Sequence, residues 1–253
     1  MLRRIALGEG NGATPLLIVH GLFGSARNWG AIQKRLADRG RVVAVDMRNH
    51  GESPWMPTQG YPEMAADLAE VIRAEGGQMD VVGHSMGGKA AMVLALSEPA
   101  LVRRLVVADI APVAYGHTQL PLVQAMMALD PAAVKSRGEA DRALAAAVPD
   151  AATRAFLLQS LDLKSDPPRW RLNLPVLAAE MPKIVGFPEV SGQFAGPVLF
   201  LSGALSAYVE PAHRDRIRAL FPKAKFARIP GAGHWLHADR PRAFEETLRV
   251  FLG

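Results

Sequence analysis

Short runs of apolar and β-branched residues recur along the chain, and most are followed by stretches whose apolar positions return every three or four residues. PLLIVHG (15–21), RVVAVD (41–46), MDVVGHS (79–85), RLVVADIA (104–111), PVLFLSG (197–203) and KFARIPG (225–231) predict strands. Several are apolar at consecutive positions, which is the pattern of a strand covered on both faces. Between them lie helical patterns. In YPEMAADLAEVIRAEGG, Met64, Leu68, Val71 and Ile72 fall on one helical face, with Pro62 suited to the first turn and Gly76 to the end. MGGKAAMVLALSE predicts a helix that stops at Pro99, and Phe244, Leu248, Phe251 and Leu252 mark another at the C-terminus. Strand–helix alternation of this kind implies an α/β fold: a mostly parallel, doubly wound sheet with right-handed crossovers.

The alternation breaks between about 112 and 195. That stretch shows no clear strand. Helices are expected near 119–129, 138–147, 150–161 and 174–181, interrupted at Pro131, Pro149 and Pro167-Pro168. It is too long for a loop, so it reads as an inserted helical cap. The expected division is a core of 1–111 and 196–253 with a cap of 112–195. No internal repeat or low-complexity linker is visible.

Composition narrows the function classes. The 253 residues are 49% hydrophobic and 21% charged, enough to bury a sizeable core. There is no cysteine, which excludes disulfides, thiolate nucleophiles and cysteine metal sites together. The net charge of +5 raises the question of nucleic acid, but the basic residues are dispersed and only 6% of residues are aromatic. No basic stripe forms, so no nucleic-acid partner is expected; at most the charge favours anionic substrates. No stretch approaches the roughly 20 apolar residues of a membrane span, and the first residues lack the apolar run of a signal peptide. A cytoplasmic location is expected; the oligomeric state is not indicated.

The candidate chemistry lies at GHSMGG. Gly83 to Gly87 match G-x-S-x-G at a strand end and a helix start, the context that separates a nucleophile elbow from a chance match. Such a turn holds its serine in a sparsely allowed conformation, so the neighbours two residues away must be tiny. Gly88 then permits close helix–strand packing. Ser85 would stand exposed at the carboxyl edge of the sheet, with the Met86 N–H aimed at a developing oxyanion. His20-Gly21 follows the first strand and would bring the Leu22 or Phe23 N–H to the same place, with His20 itself in a structural role. Of seven histidines, His234 in IPGAGHWLH follows the last strand and comes after the serine in chain order. His237 is the fallback.

The segments HGLFGSARNW, DMRNHGESP, GHSMGGKAAM, DIAPVAY and GAGHWLHADRP, in order between residues 20 and 241, resemble the α/β-hydrolases. More narrowly they resemble the bacterial YbfF-like esterases and their relatives of the alpha/beta-hydrolase domain-containing protein 11 type. RWRLNLPVLAAEMPKIVGFP, within the cap, is similar as well. The resemblance implies a serine esterase or acyl hydrolase with a helical cap, no metal and no organic cofactor. Its substrate would be a small-molecule acyl ester or thioester. DMRNHGESP would hold the loop beneath the nucleophile through charged hydrogen bonds, and Lys89 would be a supporting or surface group.

The triad acid is the open point. ALSAYVEP follows the strand PVLFLSG, where a Gly-x-x-Asp pattern is expected, and Ala207 stands near the usual aspartate position. Glu210 and Asp215 fall at the following helix start. Asp109 ends the preceding strand at the same sheet edge as Ser85, and the DIAP match points the same way, so Asp109 is the expected acid. Phe23, Met126, Met127, Phe156, Leu157, Trp170 and Trp235 are candidate pocket residues. Cofactor-free perhydrolases and carbon–carbon bond hydrolases also keep a serine at the elbow and stay open as alternatives, with a non-catalytic ligand-binding receptor behind them.

Overall fold

The computed structural model describes residues 1–10 and 12–253. Along the chain, β1 (Arg4–Leu7) and β2 (Leu16–Val19) precede α1 (Gly30–Leu36) and β3 (Val42–Val45). Next come α2 (Tyr61–Ala74), β4 (Met79–His84), α3 (Met86–Ser97) and β5 (Val102–Ala108). A helical stretch follows: α4 (Leu120–Ala128), α5 (Arg137–Leu144) and α6 (Ala151–Leu157), then β6 (Leu161–Asp162) and β7 (Arg169–Trp170), then α7 (Leu174–Ala179) and α8 (Met181–Val185). The chain closes with β8 (Val198–Gly203), α9 (Arg214–Leu220), β9 (Ala224–Ile229), α10 (Leu236–Asp239) and α11 (Pro241–Leu252).

Seven strands form one sheet in the order β1-β3-β2-β4-β5-β8-β9. All neighbours are parallel except β1, which runs antiparallel to β3 at the edge. The six strands expected from the pattern are all present. β1 was not expected: four residues with an arginine among them carry too little period to register. The alternation of side chains explains the unbroken apolar runs. Leu17, Val19, Val43, Val45 and Val81 face α2 and α3, while Leu16, Ile18, Val42, Ala44 and Val82 face α1 and α11. Both sets are fully buried. From β2 the chain moves outward to β3, then returns through α2 to β4 on the other side of β2. This reversal leaves a crevice at the carboxyl ends of β2 and β4, where ligands of open α/β sheets bind.

The stretch between β5 and β8 departs from the expectation in two places. It contains a two-stranded hairpin, Leu161 opposite Trp170 and Asp162 opposite Arg169, too short to show a period. The helix expected over 174–181 is two helices, because Pro182 starts a new one at its first turns. Backbone bonds tie the stretch to the loop after β3: Gly51 N–H to Arg171 O at 2.8 Å and Asn173 N–H to Asn49 O at 3.0 Å. Among the described residues, no helix is long and apolar enough to cross a membrane.

Candidate active site

Ser85 sits between β4 and α3 with φ 52° and ψ −120°, a conformation that L-residues rarely hold. The local sequence makes it affordable. A Cβ on Gly83 would lie 2.4 Å from Gly87 O, and one on Gly87 would lie 2.4 Å from His20 O. A Cβ on Gly88 would meet Ile110 Cγ2 at 2.7 Å. Gly83 and Gly87 permit backbone approaches that any other residue would block, and Gly88 leaves room for the Ile110 side chain.

His234 lies on the loop between β9 and α10, and Asp109 follows β5. His234 Nδ1 is 2.7 Å from Asp109 Oδ2, and His234 Nε2 is 3.0 Å from Ser85 Oγ. A carboxylate can only accept, so Nδ1 carries the proton and Nε2 offers its lone pair to the serine hydroxyl. The Asp109 side chain is wholly buried, whereas that of His234 is 25% exposed. Asp109 has φ 54°, which bends the chain at the strand end. Its Oδ1 accepts the Gly203 N–H at 3.0 Å and its Oδ2 accepts Ser206 Oγ–H at 2.5 Å. Glu210 and Asp215 stay at helix starts, Glu210 as the cap of a 3-10 turn and Asp215 in the first turn of α9.

Of the other histidines, His20, His50, His84 and His237 are kept neutral by burial. His20 Nδ1–H donates to Gly21 O at 2.7 Å, and its Nε2 accepts the Met47 N–H at 2.9 Å. Burial lowers its pKa to about 4. His50 Nε2 accepts the Phe23 N–H at 3.2 Å, so of the two candidate amides on this loop Phe23's is already engaged. His84, which occupies an x position of the elbow, donates from Nε2 to His234 O at 2.8 Å and anchors the histidine loop. Sequence reading gave His84 no role, since nothing in the motif shows what a buried ring there would reach. His237 stacks on Trp29 with centroids 4.1 Å apart, and burial lowers its pKa to about 3.

The DMRNHGESP loop supports the site from below. Asp46 accepts from Ala26 N–H at 2.7 Å and Glu52 N–H at 2.8 Å. Arg48 makes a two-pronged pair with Asp67 at 2.6 and 2.8 Å. Lys89 is no surface group. It is buried, and its Nζ donates to Val185 O at 2.9 Å and to Gly186 O. It also lies 4.8 Å from the Tyr115 ring centroid. Burial draws its pKa down from 10.5 to about 7.

Ser85 opens into a cavity of about 140 Å³. Leu22, Phe23 and Trp235 line it from the sheet side, and Leu122, Phe156, Leu157, Ile184 and Val185 from the helical stretch. The Phe156 and Trp235 rings, both lining it, are 5.3 Å apart between centroids. Met126 and Trp170 do not reach the cavity, which corrects the reading of both as pocket residues. Met126 packs into the core beneath α4, and Trp170 is held in β7 against the same core. Met127 faces solvent at 50% exposure. Apolar residues at helical spacing fill the interior of the stretch first, and only some of its faces meet the cavity. Among the described residues, no group of three or more His, Cys, Asp or Glu side chains is arranged to hold a metal ion.

The family model described as the alpha/beta hydrolase fold matches residues 14–241. The mouse sn-1-specific diacylglycerol lipase ABHD11 is 42% identical over 96% of this chain and 83% of its own length. The esterase YbfF of Escherichia coli K12 is 38% identical over 94% of this chain and 93% of its own. A solved structure of a marine microorganism esterase superposes with a TM-score of 0.94 at 37% identity, covering 99% of this chain and 98% of its own. With relatives this similar over nearly the whole length, the chain is a hydrolase and belongs to the alpha/beta hydrolase fold family.

Proposed function

We propose that the protein cleaves carboxylic esters or acyl thioesters of small apolar acyl groups through a Ser85–His234–Asp109 triad and an acyl-enzyme. The observation that carries this reading is the unbroken chain Ser85 Oγ, His234 Nε2, His234 Nδ1, Asp109 Oδ2, with links of 3.0 and 2.7 Å. The esterase and lipase names of the relatives support the same reaction class.

In this mechanism His234 Nε2 takes the proton of Ser85 as Oγ attacks the acyl carbon. The carbonyl electrons move onto oxygen, and the oxyanion is received by the N–H groups of Leu22 and Met86. Met86 opens α3, so its N–H is one of the donors a helix leaves without an internal partner. The tetrahedral intermediate collapses, and the alcohol or thiol leaves with the proton held on His234. Water then attacks the acyl-enzyme, gives its proton to His234, and the acid is released as Ser85 recovers that proton. Asp109 holds the imidazole tautomer and stabilises the imidazolium throughout.

We further propose that residues 112–195 form a cap whose apolar walls favour short to medium acyl chains. The test is turnover of a p-nitrophenyl acyl ester series and of a diacylglycerol, together with fluorophosphonate labelling. Expected are ester turnover with a preference within the short to medium chains, and labelling at Ser85. Absence of both turnover and labelling would overturn the hydrolase mechanism, and a kcat/KM that climbs steadily to long chains would overturn the cap reading.

A further inference from the structure

Beside the cavity at Ser85 lies a second, open depression of about 550 Å³, between the loop after β8 and the start of the helical stretch. Tyr115, His117, Tyr208 and His234 line both spaces, so the two adjoin at His234. The shared wall is firmly built. Tyr208 O accepts Tyr115 O–H at 2.7 Å, and the Tyr208 hydroxyl is hydrogen-bonded to His117 Nε2 at 2.9 Å. The Tyr208 ring stacks on His234 with centroids 4.0 Å apart. Leu205 and Ala207 line the depression beyond this wall. Ala207 adds no bulk there. Leu205 is 77% exposed, although its backbone is pinned by a bond from its N–H to Ala232 O at 2.9 Å. A large apolar side chain is thus held out to solvent on a fixed support, next to the acid–base histidine.

We propose that this depression receives the leaving group of the ester, and that it takes an uncharged alcohol whose carbon chain lies on Leu205. The inference rests on the triad reading above, because that reading fixes where the alcohol must stand. His234 returns its proton to the departing oxygen, so the alcohol leaves beside His234. The cavity at Ser85 holds about 140 Å³, short of the roughly 300–1,000 Å³ of sites that enclose a whole small molecule. Acyl chain and alcohol therefore need separate room, and the depression is the space that continues past His234.

Its lining also selects by charge. Among the described residues that line it, none is lysine or arginine, and the carboxylate present is that of Glu210. Arg214, next to His213 in the chain, is turned aside over the Phe226 ring, 5.2 Å from its centroid. A leaving group bearing phosphates would give up water there and find no cation in exchange. An alkyl alcohol gives up little and covers Leu205, Ala207 and the tyrosine faces.

The experiment measures kcat/KM for the butanoate esters of methanol, butanol and hexanol, and for butanoyl N-acetylcysteamine against butanoyl-coenzyme A. The acyl group is the same throughout, so the differences report the leaving group. Hexyl butanoate should exceed methyl butanoate by more than about tenfold, since each methylene covered is worth about fourfold. The uncharged thioester should exceed the one whose thiol carries phosphates. Leu205→Asp puts a charge where the alkyl chain would lie and should lower the hexyl-to-methyl ratio about tenfold. Ala207→Asp repeats this from a neighbouring exposed position, and Val250→Asp, exposed on α11, should leave the ratio unchanged. Binding is read separately by NMR: hexanol alone should shift the ring signals of His117 and His213 in the wild type and lose that effect in Leu205→Asp. A flat alcohol series, a preference for the coenzyme A thioester or an absence of hexanol-induced shifts would each overturn the proposal. Hexanol-induced shifts in a protein that turns over no ester would refute the triad reading and leave the alcohol site standing.

Discussion

Asp109 shows how much a single residue's setting decides. Its carboxylate is fully buried and accepts three hydrogen bonds, from Gly203 N–H, Ser206 Oγ–H and His234 Nδ1–H. Asp109→Asn keeps the shape but presents either an amide N–H toward Nδ1 or a weaker acceptor, so the imidazole can settle in the wrong tautomer. The expected result is a folded protein with kcat reduced by up to about 10⁴, as for the serine-protease aspartate. Glu210→Gln should leave kcat nearly unchanged, because Glu210 is exposed and caps a 3-10 turn. Esterase kinetics with circular dichroism on both variants check this, and a near-normal kcat in folded Asp109→Asn would move the acid role elsewhere. At the elbow, Gly87→Ala would press a methyl group against the backbone oxygens of His20 and Val19, at 2.4 and 2.6 Å. Neither oxygen belongs to a flexible side chain, so a loss of about 3 kcal/mol in urea-unfolding stability is expected.

At the scale of elements, the clearest dependence is that of α8 on α2 and α3. The last carbonyls of α8 lack partners within the helix. Ile184 O receives the Tyr61 hydroxyl, while Val185 O and Gly186 O receive Lys89 Nζ. One end of the helical stretch is thereby fastened to the helix that Ser85 caps. Lys89→Met keeps the apolar stem and strands two carbonyls, at an expected cost of about 1–3 kcal/mol. It should also change the pH dependence. Folded Lys89 titrates near 7 rather than 10.5, so between those values the unfolded chain holds a proton that the folded one has released. Stability therefore gains a rising contribution from pH 7 to about 10.5. Urea midpoints at pH 7 and 9 should diverge less in Lys89→Met than in the wild type, and an identical pH slope in both proteins would contradict the assignment.

For the molecule as a whole, four buried histidines set an acid limit. His20 is lowered to about 4, His50 and His237 to about 3, and His84 well below 6.5, in each case chiefly by burial. Below pH 6.5 the unfolded chain takes up protons on these rings that the folded chain refuses. Stability thus falls as pH drops, by about 2 kcal/mol at pH 5 for each of His20, His50 and His237, with His84 acting in the same direction. Four such rings weigh against a total stability of about 5–15 kcal/mol for a domain. The protein is expected to lose most of its resistance to urea between pH 6.5 and 5. A flat unfolding midpoint over that range would contradict the neutral burial of these histidines.

The sequence by itself determined the parts that rest on local spacing. Consecutive apolar runs identified most of the six expected strands, because burial on both faces leaves no polar alternation to confuse the period. The three glycines about Ser85 marked the elbow, because its backbone tolerates nothing larger at those positions. The position of His234 after the last strand followed from chain order. Tertiary structure decided whatever depends on residues far apart in the chain. Asp109 and His234 are 125 positions apart, and their contact arises where the β5 and β9 ends share one sheet edge. Leu122 and Phe156 reach the cavity while Met126 and Trp170 do not, although all four read alike as apolar residues in one stretch. Lys89, a polar residue on a helix, carries no local sign of burial; the carbonyls that receive it lie almost a hundred residues away and reach it only through the packing of α8.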